Sequence, residues 1–256
     1  MNSSLQYGDR IKAVVRDGHN YVVTLKPEGR FETHHGFIPH ESIIQTGFGT
    51  EMKFPDGERV FFFPCGIVDT IMKLERRTQI VYPKDIGLIG LMMDVKAGDR
   101  IVEAGMGSGA MSIFFSRSIG DSGILYSYER NPDFLRIGMN NLHKAGTLHR
   151  VVIHYRDLAE GVFETNADSF FLDVPDPQNH VLSLKNALKK GGTCVIVCPT
   201  FNQCEEVLQS AQANGFMDMQ MWEIFYREYK VNPDRIRPQD RMIAHTAFML
   251  SGKNSY

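Results

Sequence analysis

The segment "DRIVEAGMGSGAMSIFFSRSIG", residues 99–120, restricts the fold more than any other part of the chain. A short apolar run ends in three glycines at alternate positions, Gly105, Gly107 and Gly109, and a run with helical apolar spacing follows at once. Glycines there let the backbone turn tightly and approach a ligand closely, so a strand feeding a helix through this loop reads as the first half of a βαβ unit. The alternation continues. "GILYSYE", "RVVIHY", "SFFLDV" and "TCVIVCP" read as strands. "PKDIGLIGLMMD", "NPDFLRIGMNNLHKAG", "HVLSLKNALKKGG" and "CEEVLQSAQANG" read as helices. Pro83 suits a first turn, Asn131 an N-cap, and Gly120, Gly146 and the pair Gly191–Gly192 the helix ends. Strands alternating with helices imply an α/β domain with a mostly parallel sheet covered on both faces. The last two β runs, "MQMWEIFYREYKV" and "AHTAFMLSGK", lack a long helix between them, so they are expected to form a hairpin with an antiparallel last strand.

The N-terminal region has another pattern. "RIKAVV", "NYVVTL", "RFETHHGFI" and "RVFFFPC" read as strands separated by the turns "DGHN", "KPEGR" and "PDGER". A small antiparallel β domain over residues 1–72 is expected, followed by the α/β domain over residues 73–256.

Composition narrows the classes. A hydrophobic content of 43% and a charged content of 23% are those of an ordinary globular protein, and 256 residues suffice for one α/β domain plus an appendage. The net charge of −2 carries no global signature of nucleic-acid binding, so such a surface must be a local patch. No apolar run approaches a membrane span and "MNSSLQYGDR" lacks a signal-peptide core, so a cytoplasmic protein is expected. Cys65, Cys194, Cys198 and Cys204 show no C-x-x-C spacing. Cys194 and Cys198 fall in an apolar strand and read as core residues, and no metal is expected.

Glu129 ends the strand after the glycine loop, roughly 20 residues on, where a carboxylate can accept hydrogen bonds from both ribose hydroxyls of a nucleoside. The loop also fits a loose dinucleotide fingerprint through Gly105, Gly107 and Ala110. Three features point elsewhere: the acid Glu103 two residues before the first glycine, a helix preceding the first strand, and the terminal hairpin. Together they suggest the Rossmann-like class I fold of S-adenosylmethionine-dependent methyltransferases. Asp157, after the third strand, fits an acid near the adenine amino group, or equally a turn initiator or N-cap.

"TQIVYPKD", "VEAGMGSGAMS", "YSYERNPDF", "FFLDVPDP" and "MIAHTAFML" occur in this order, with "HHGFIPHESIIQTGFGTEM" in the N-terminal domain. On these residues the chain resembles the TrmI/Trm61 family of tRNA (adenine(58)-N1)-methyltransferases, which modify a T-loop adenosine. The resemblance implies S-adenosylmethionine as cofactor and tRNA as partner. It implies that Gly105, Met106, Gly107, Ser108, Gly109 and Ala110 wrap the methionine part, that Glu129 holds the ribose and Asp157 the adenine region, and that Asp173 stands beside the transferable methyl and the base. Tyr82 would line the target-base pocket; without the resemblance it reads equally as a core aromatic. Bacterial and archaeal members are commonly homotetramers, whereas the eukaryotic enzyme pairs a catalytic with a non-catalytic subunit. The family usually carries an aromatic residue after "D-x-x-[DE]-P", where this chain has Gln178.

The chemistry agrees with one privileged acid. Methyl transfer from a sulfonium requires alignment, and adenine N1 has a free lone pair, so a carboxylate serves mainly to stabilise the cationic ring that forms. Asp173 is at a strand end, whereas Asp176 belongs to a proline-bracketed turn. The target adenosine must be extruded at a cost of roughly a few kcal/mol. Local basic patches are Lys73, Arg76, Arg77 and Lys84, and Arg227, Lys230, Arg235, Arg237 and Arg241. His245 falls in an apolar run and reads as a core histidine before a catalytic one. Two other readings are a non-catalytic RNA-binding subunit of the same fold and a methyltransferase for a small molecule or a protein.

Overall fold

The structure, a computed structural model, describes residues 4–255. The chain divides into two units, Met1–Lys73 and Leu74–Tyr256. In the first, strands β1 (Arg10–Val15), β2 (Asn20–Thr24), β3 (Arg30–Thr33) and β4 (Gly36–Pro39) precede helix α1 (His40–Thr46). Strands β5 (Glu51–Lys53) and β6 (Arg59–Pro64) and helix α2 (Ile67–Met72) follow. The sheet order is β2-β1-β6-β5, with every pairing antiparallel. Alternation along β1 puts Ile11, Ala13 and Val15 into a core with Leu25, Val60 and Phe62. "RFETHHGFI" is not one strand. The chain reverses at His34–His35, and β3 pairs with β4 as a separate hairpin. Gly36 makes this possible, with φ at 112° and a position where a Cβ would lie 2.8 Å from Cδ of Pro55.

The second unit runs through α3 (Pro83–Met92), β7 (Arg100–Ala104), α4 (Ala110–Ser118), β8 (Ile124–Glu129), α5 (Pro132–Lys144), β9 (Val151–Tyr155) and β10 (Ala167–Leu172). It continues through α6 (Val181–Ala187), β11 (Leu188–Cys198), α7 (Phe201–Ala213), β12 (Phe216–Trp222), β13 (Tyr229–Lys230), β14 (Arg237–Pro238) and β15 (Phe248–Asn254). The sheet order is β12-β15-β11-β10-β7-β8-β9. The pairings from β11 to β9 are parallel, while β15 is antiparallel to both β11 and β12. This is the expected α/β architecture with an antiparallel last strand. Its order reverses between β7 and β10, the switch point outside whose strand ends open α/β sheets bind ligands. Phe170, Leu172, Ile196 and Leu250 build one core, which also buries Cys194 and Cys198 as expected.

Three local expectations are corrected. The helix after His180 stops at Ala187, not at Gly191–Gly192, and the "LKKGG" stretch joins β11. The Asn254 amide, arriving from β15, donates to the carbonyls of Lys185, Leu188 and Lys189 at 3.2, 3.2 and 3.3 Å, so a residue remote in sequence satisfies the chain as it leaves the helix. The long run after Met219 is a strand only to Trp222, and β13 and β14 form a small ladder of their own. His245 lies before β15 and is exposed, not a core histidine. Its Nδ1 is 2.8 Å from Glu223 Oε1 and its Nε2 3.1 Å from the Pro199 carbonyl, partners that hold a polar ring at the surface. No helix among the described residues is long and apolar enough to cross a membrane.

Candidate active site

A cavity of about 650 Å³ opens at the carboxyl ends of β7, β8 and β10. Backbone contacts set its floor. Asp173 N donates to the Ala104 carbonyl at 2.9 Å, and Gly105 N to the Tyr128 carbonyl at 3.0 Å, which ties β10, β7 and β8 together where they end. A Cβ on Gly105 would lie 1.9 Å from the Asp173 carbonyl oxygen, so only glycine lets the loop leave β7 against β10. Gly109, left-handed at φ 80°, is the N-cap of α4. Met106 packs its side chain against Gly138 of α5, and the Asn141 amide donates to the carbonyls of Ser108 and Glu75 at 2.9 and 2.8 Å. The loop from Gly105 to Ser108, with Ala110, lines the cavity, whereas Gly109 supports it from the helix side.

Glu129 is buried at the wall. Its Oε2 accepts from Gly107 N at 2.9 Å and its Oε1 from Asn131 N at 2.8 Å. Asn131 caps α5 by accepting from the backbone of Asp133 and Phe134, as its sequence position predicts. Each Glu129 oxygen retains acceptor capacity, so the pair is oriented for two hydroxyl donors. Asp157 is the N-cap its position allowed, and it also lines the cavity. Its Oδ1 accepts from Ala159 N at 2.9 Å, as an N-cap, and its Oδ2 from Arg130 at 3.0 Å, while the residue lines the cavity. These contacts, the backbone N–H foremost, hold its carboxyl below the usual range.

Asp173 opens onto the cavity from its floor. Protein encloses it on its remaining sides, and this desolvation pushes its carboxyl up to about 6. Glu103, one strand turn earlier in β7, does not reach the cavity. It is fully buried, and its Oε2 accepts from Ser112 at 2.6 Å and Ser127 at 2.7 Å, joining α4 and β8 to β7. Burial pushes its carboxyl up to about 7, against the lowering effect of the two hydroxyls.

Tyr82 is not among the lining residues; Thr78, Gln79, Ile80 and Val81 are. It is half-buried and caps α3, its carbonyl accepting from Asp85 N and Ile86 N. Gln178 also lies off the wall, its carbonyl accepting from Ser210 of α7 at 2.9 Å, so the residue in the family's aromatic position does not shape this cavity. Residues that sequence reasoning left out are Arg156, whose guanidinium lies 4.2 Å from the Phe163 ring centre, and His180, buried with Nε2 3.5 Å from Asp176 Oδ1. Asp176 itself reaches the wall. Only the proline-bracketed turn hinted at that.

Two motifs distant in sequence meet. Lys84 Nζ donates to Asp85 Oδ1 at 2.8 Å, the Ile224 carbonyl at 2.9 Å and Thr246 Oγ1 at 2.7 Å, and the Thr246 hydroxyl donates to Asp85 Oδ2 at 2.8 Å. Lys84 therefore leaves the basic patch in which its sequence placed it: its side chain is 6% exposed and is satisfied inside the protein. Thr246→Val keeps the shape but strands an ammonium donor and a carboxylate lone pair. It is expected to cost roughly 1–3 kcal/mol, read as a lower denaturation midpoint; an unchanged midpoint would show that the hydroxyl is dispensable.

The arrangement fits S-adenosylmethionine by its own chemistry: a glycine loop lining the cavity, paired carboxylate acceptors on Glu129, and the acid Asp173 beyond them. The family model described as tRNA methyltransferase complex GCD14 subunit matches residues 70–249, and one described as TrmI-like N-terminal matches residues 4–50. The chain belongs to the GCD14 family. It is 29% identical over 237 residues to the tRNA (adenine(58)-N(1))-methyltransferase TrmI of Thermus thermophilus, covering 92% of this chain and 93% of that protein. Among solved structures, an S-adenosylmethionine-dependent O-methyltransferase from Thermotoga maritima superposes with a TM-score of 0.92 at 40% identity, covering 99% of this chain and 95% of that one. The tRNA (m1A58) methyltransferase TrmI from Aquifex aeolicus superposes with a TM-score of 0.85 at 25% identity, covering 98% of each chain. This GCD14 family member is thus matched over 92% to 99% of its length by these relatives.

Proposed function

We propose that the chain is a tRNA (adenine(58)-N1)-methyltransferase that uses S-adenosylmethionine. The observation that carries this reading is the backbone lock between Gly105 and Asp173, which sets the cofactor loop and a single raised-pKa acid at one cavity floor. The cofactor, when bound, supplies an electrophilic methyl group on a sulfonium. Gly105 to Ala110 hold its amino-acid part, Glu129 accepts from the ribose hydroxyls, and Asp157 borders the adenine. Asp173 accepts from the exocyclic amine of the target adenine and, as a carboxylate, favours the positive charge the ring acquires on methylation. No group has to remove a proton from N1. The exposed Arg76, Arg77, Arg227, Arg235 and Arg241 are available for phosphate contacts. Tyr82 caps α3 through its backbone carbonyl alone, which does not fix its ring, and that ring stacks on the target base beside Val81 of the cavity wall. In solution the protein is a homotetramer, as the family resemblance implies, and it works in the cytoplasm, as its N-terminal composition suggests; light scattering tests the first point.

The Thermotoga maritima relative, an O-methyltransferase, suggests a second reading, transfer to a hydroxyl. Oxygen is a weaker nucleophile in its protonated form, so Asp173 would then act as a general base. One experiment separates the readings. Unmodified tRNA transcript is incubated with the protein and S-adenosylmethionine, digested, and its nucleosides are resolved by mass and retention. 1-Methyladenosine mapped to position 58 is the expected product; a ribose-methylated nucleoside, or no product from a protein that binds the cofactor, would overturn the proposal.

A further inference from the structure

Three turns of the first unit bring five polar side chains to one place. Asp17 and His19 stand in the turn after β1, His34 and His35 at the tip of the β3–β4 hairpin, and Asp56 in the turn between β5 and β6. None belongs to the cavity of the second unit. One ligand atom from each of Asp17, His34 and His35 lies within 4.8 Å of the other two. Asp17 Oδ2 is 3.3 Å from His35 Nε2 and 4.0 Å from His34 Nε2. Ligands about 2.0–2.1 Å from a tetrahedral ion stand roughly 3.3–3.4 Å apart, so one edge is already in place and a second needs only a small side-chain shift.

The carboxylates are aimed. Asp17 Oδ1 accepts from His19 N at 2.8 Å, and Asp56 Oδ1 accepts from Glu58 N at 3.0 Å, so Asp56 turns its other oxygen towards His35, while Asp17 turns Oδ2 towards both His19 Nδ1, at 2.9 Å, and His35. His35 Nδ1 is 2.7 Å from Asp56 Oδ2, while its Nε2 faces Asp17 Oδ2. A neutral imidazole carries one N–H. With that proton on the shorter contact to Asp56, the Nε2 lone pair confronts a carboxylate oxygen, and two acceptors at that distance call for a cation between them. A proton could bridge this pair. Three histidine nitrogens, of His19, His35 and His34, converge on this one oxygen, with the His34 ring 3.8 Å from the His35 ring, and one multivalent ion engages more of them than one bridging proton does. The Asp56–His35 contact also has the form of the carboxylate that fixes the tautomer of a metal-bound histidine. Pro55 against Gly36 pins the hairpin tip beside Asp56.

We infer that Asp17, His34 and His35 bind a divalent transition-metal ion of the zinc class, with Asp56 orienting the His35 ring and a fourth position left for water. The site owes nothing to the methyl-transfer reading. Cysteine spacing gave no hint of it, because its ligands come from two turns apart in sequence.

The test uses the full chain, stripped with a chelator and titrated with Zn²⁺ alone by calorimetry, then with Co²⁺ by visible absorption. One ion per chain and a tetrahedral Co²⁺ band are expected. His34→Ala, whose side chain is 65% exposed and outside the core, and His35→Ala should each weaken binding at least about 100-fold, and Asp56→Asn roughly 10–100-fold. Circular dichroism checks that each variant is folded. Absence of saturable binding to the wild type, or binding unchanged in folded His34→Ala, overturns the inference. So does a proton-bridge result: no metal bound, and a His35-dependent stability that is present below the ordinary imidazole pKa and lost as pH rises through the raised value its carboxylate neighbours, Asp56 first, confer.

Discussion

Asp173→Asn is expected to lower turnover about 10²- to 10³-fold, the loss of about 2.7–4 kcal/mol typical for a charge-stabilising group in a reaction site, with S-adenosylmethionine affinity nearly unchanged. Asparagine preserves the side-chain shape and the backbone contacts of residue 173, so the effect isolates the charge. The pH profile carries the same information. The acid titrates at about 6, and its ionised form stabilises the cationic ring, so the wild-type rate rises as pH increases through about 6 and then levels. The variant lacks that limb. Stability moves oppositely. A carboxyl whose folded pKa is raised costs stability as pH climbs from its ordinary value, 3.8, through about 6. The variant should therefore melt no lower than wild type at neutral pH. Single-turnover assays and calorimetric cofactor titration decide it; a near-normal rate with an intact acid limb would remove Asp173 from the reaction.

Gly105→Ala carries the second large effect. The added methyl would meet the Asp173 carbonyl oxygen at 1.9 Å and its carbon at 2.8 Å, at a φ of 90° that side chains rarely adopt. Both obstacles are backbone, and neither can swing aside without breaking the Asp173–Ala104 hydrogen bond between β10 and β7. A loss of about 4 kcal/mol or more in stability is expected, in the range reserved for strain at special backbone positions, with cofactor binding lost alongside it. Gly107→Ala is the control. Its nearest neighbour would be Thr78 Oγ1 at 3.8 Å, and its φ of 53° costs an alanine only about 1–2 kcal/mol. Equal melting temperatures in the two variants would show that the loop yields and that the lock is not rigid.

Local chemistry wrote much of this protein into its sequence. Strand and helix periods, the Asn131 cap and the glycine loop depend on neighbours within a few residues, and each was legible; the terminal antiparallel pairing was legible from the lack of a long helix between its two runs, although β12 and β15 meet across an insert that holds β13 and β14. So were Glu129 and Asp173, because a strand end is a local feature and a fold class says which ends face the site. Elements ruled by distant partners were not. α6 ends where Asn254 meets its last carbonyls, His245 turns outward to Glu223, and the hairpin at His34–His35 needs glycine at position 36 because Pro55 fills the space a side chain would take.

Lys84 shows the limit most sharply. By sequence it belonged to a basic patch; a hydroxyl and a carbonyl supplied more than a hundred positions later, beside Asp85, make it an interior group. The sequence by itself determined the architecture, the glycine loop and the acids at the strand ends, since these follow from periodicity and turn chemistry. Tertiary structure alone decided that Asp176 and His180 reach the cavity while Glu103 does not, which cation is withdrawn from solvent, and that Asp17, His34, His35 and Asp56 converge, because side-chain convergence depends on contacts between segments whose separation no local pattern records.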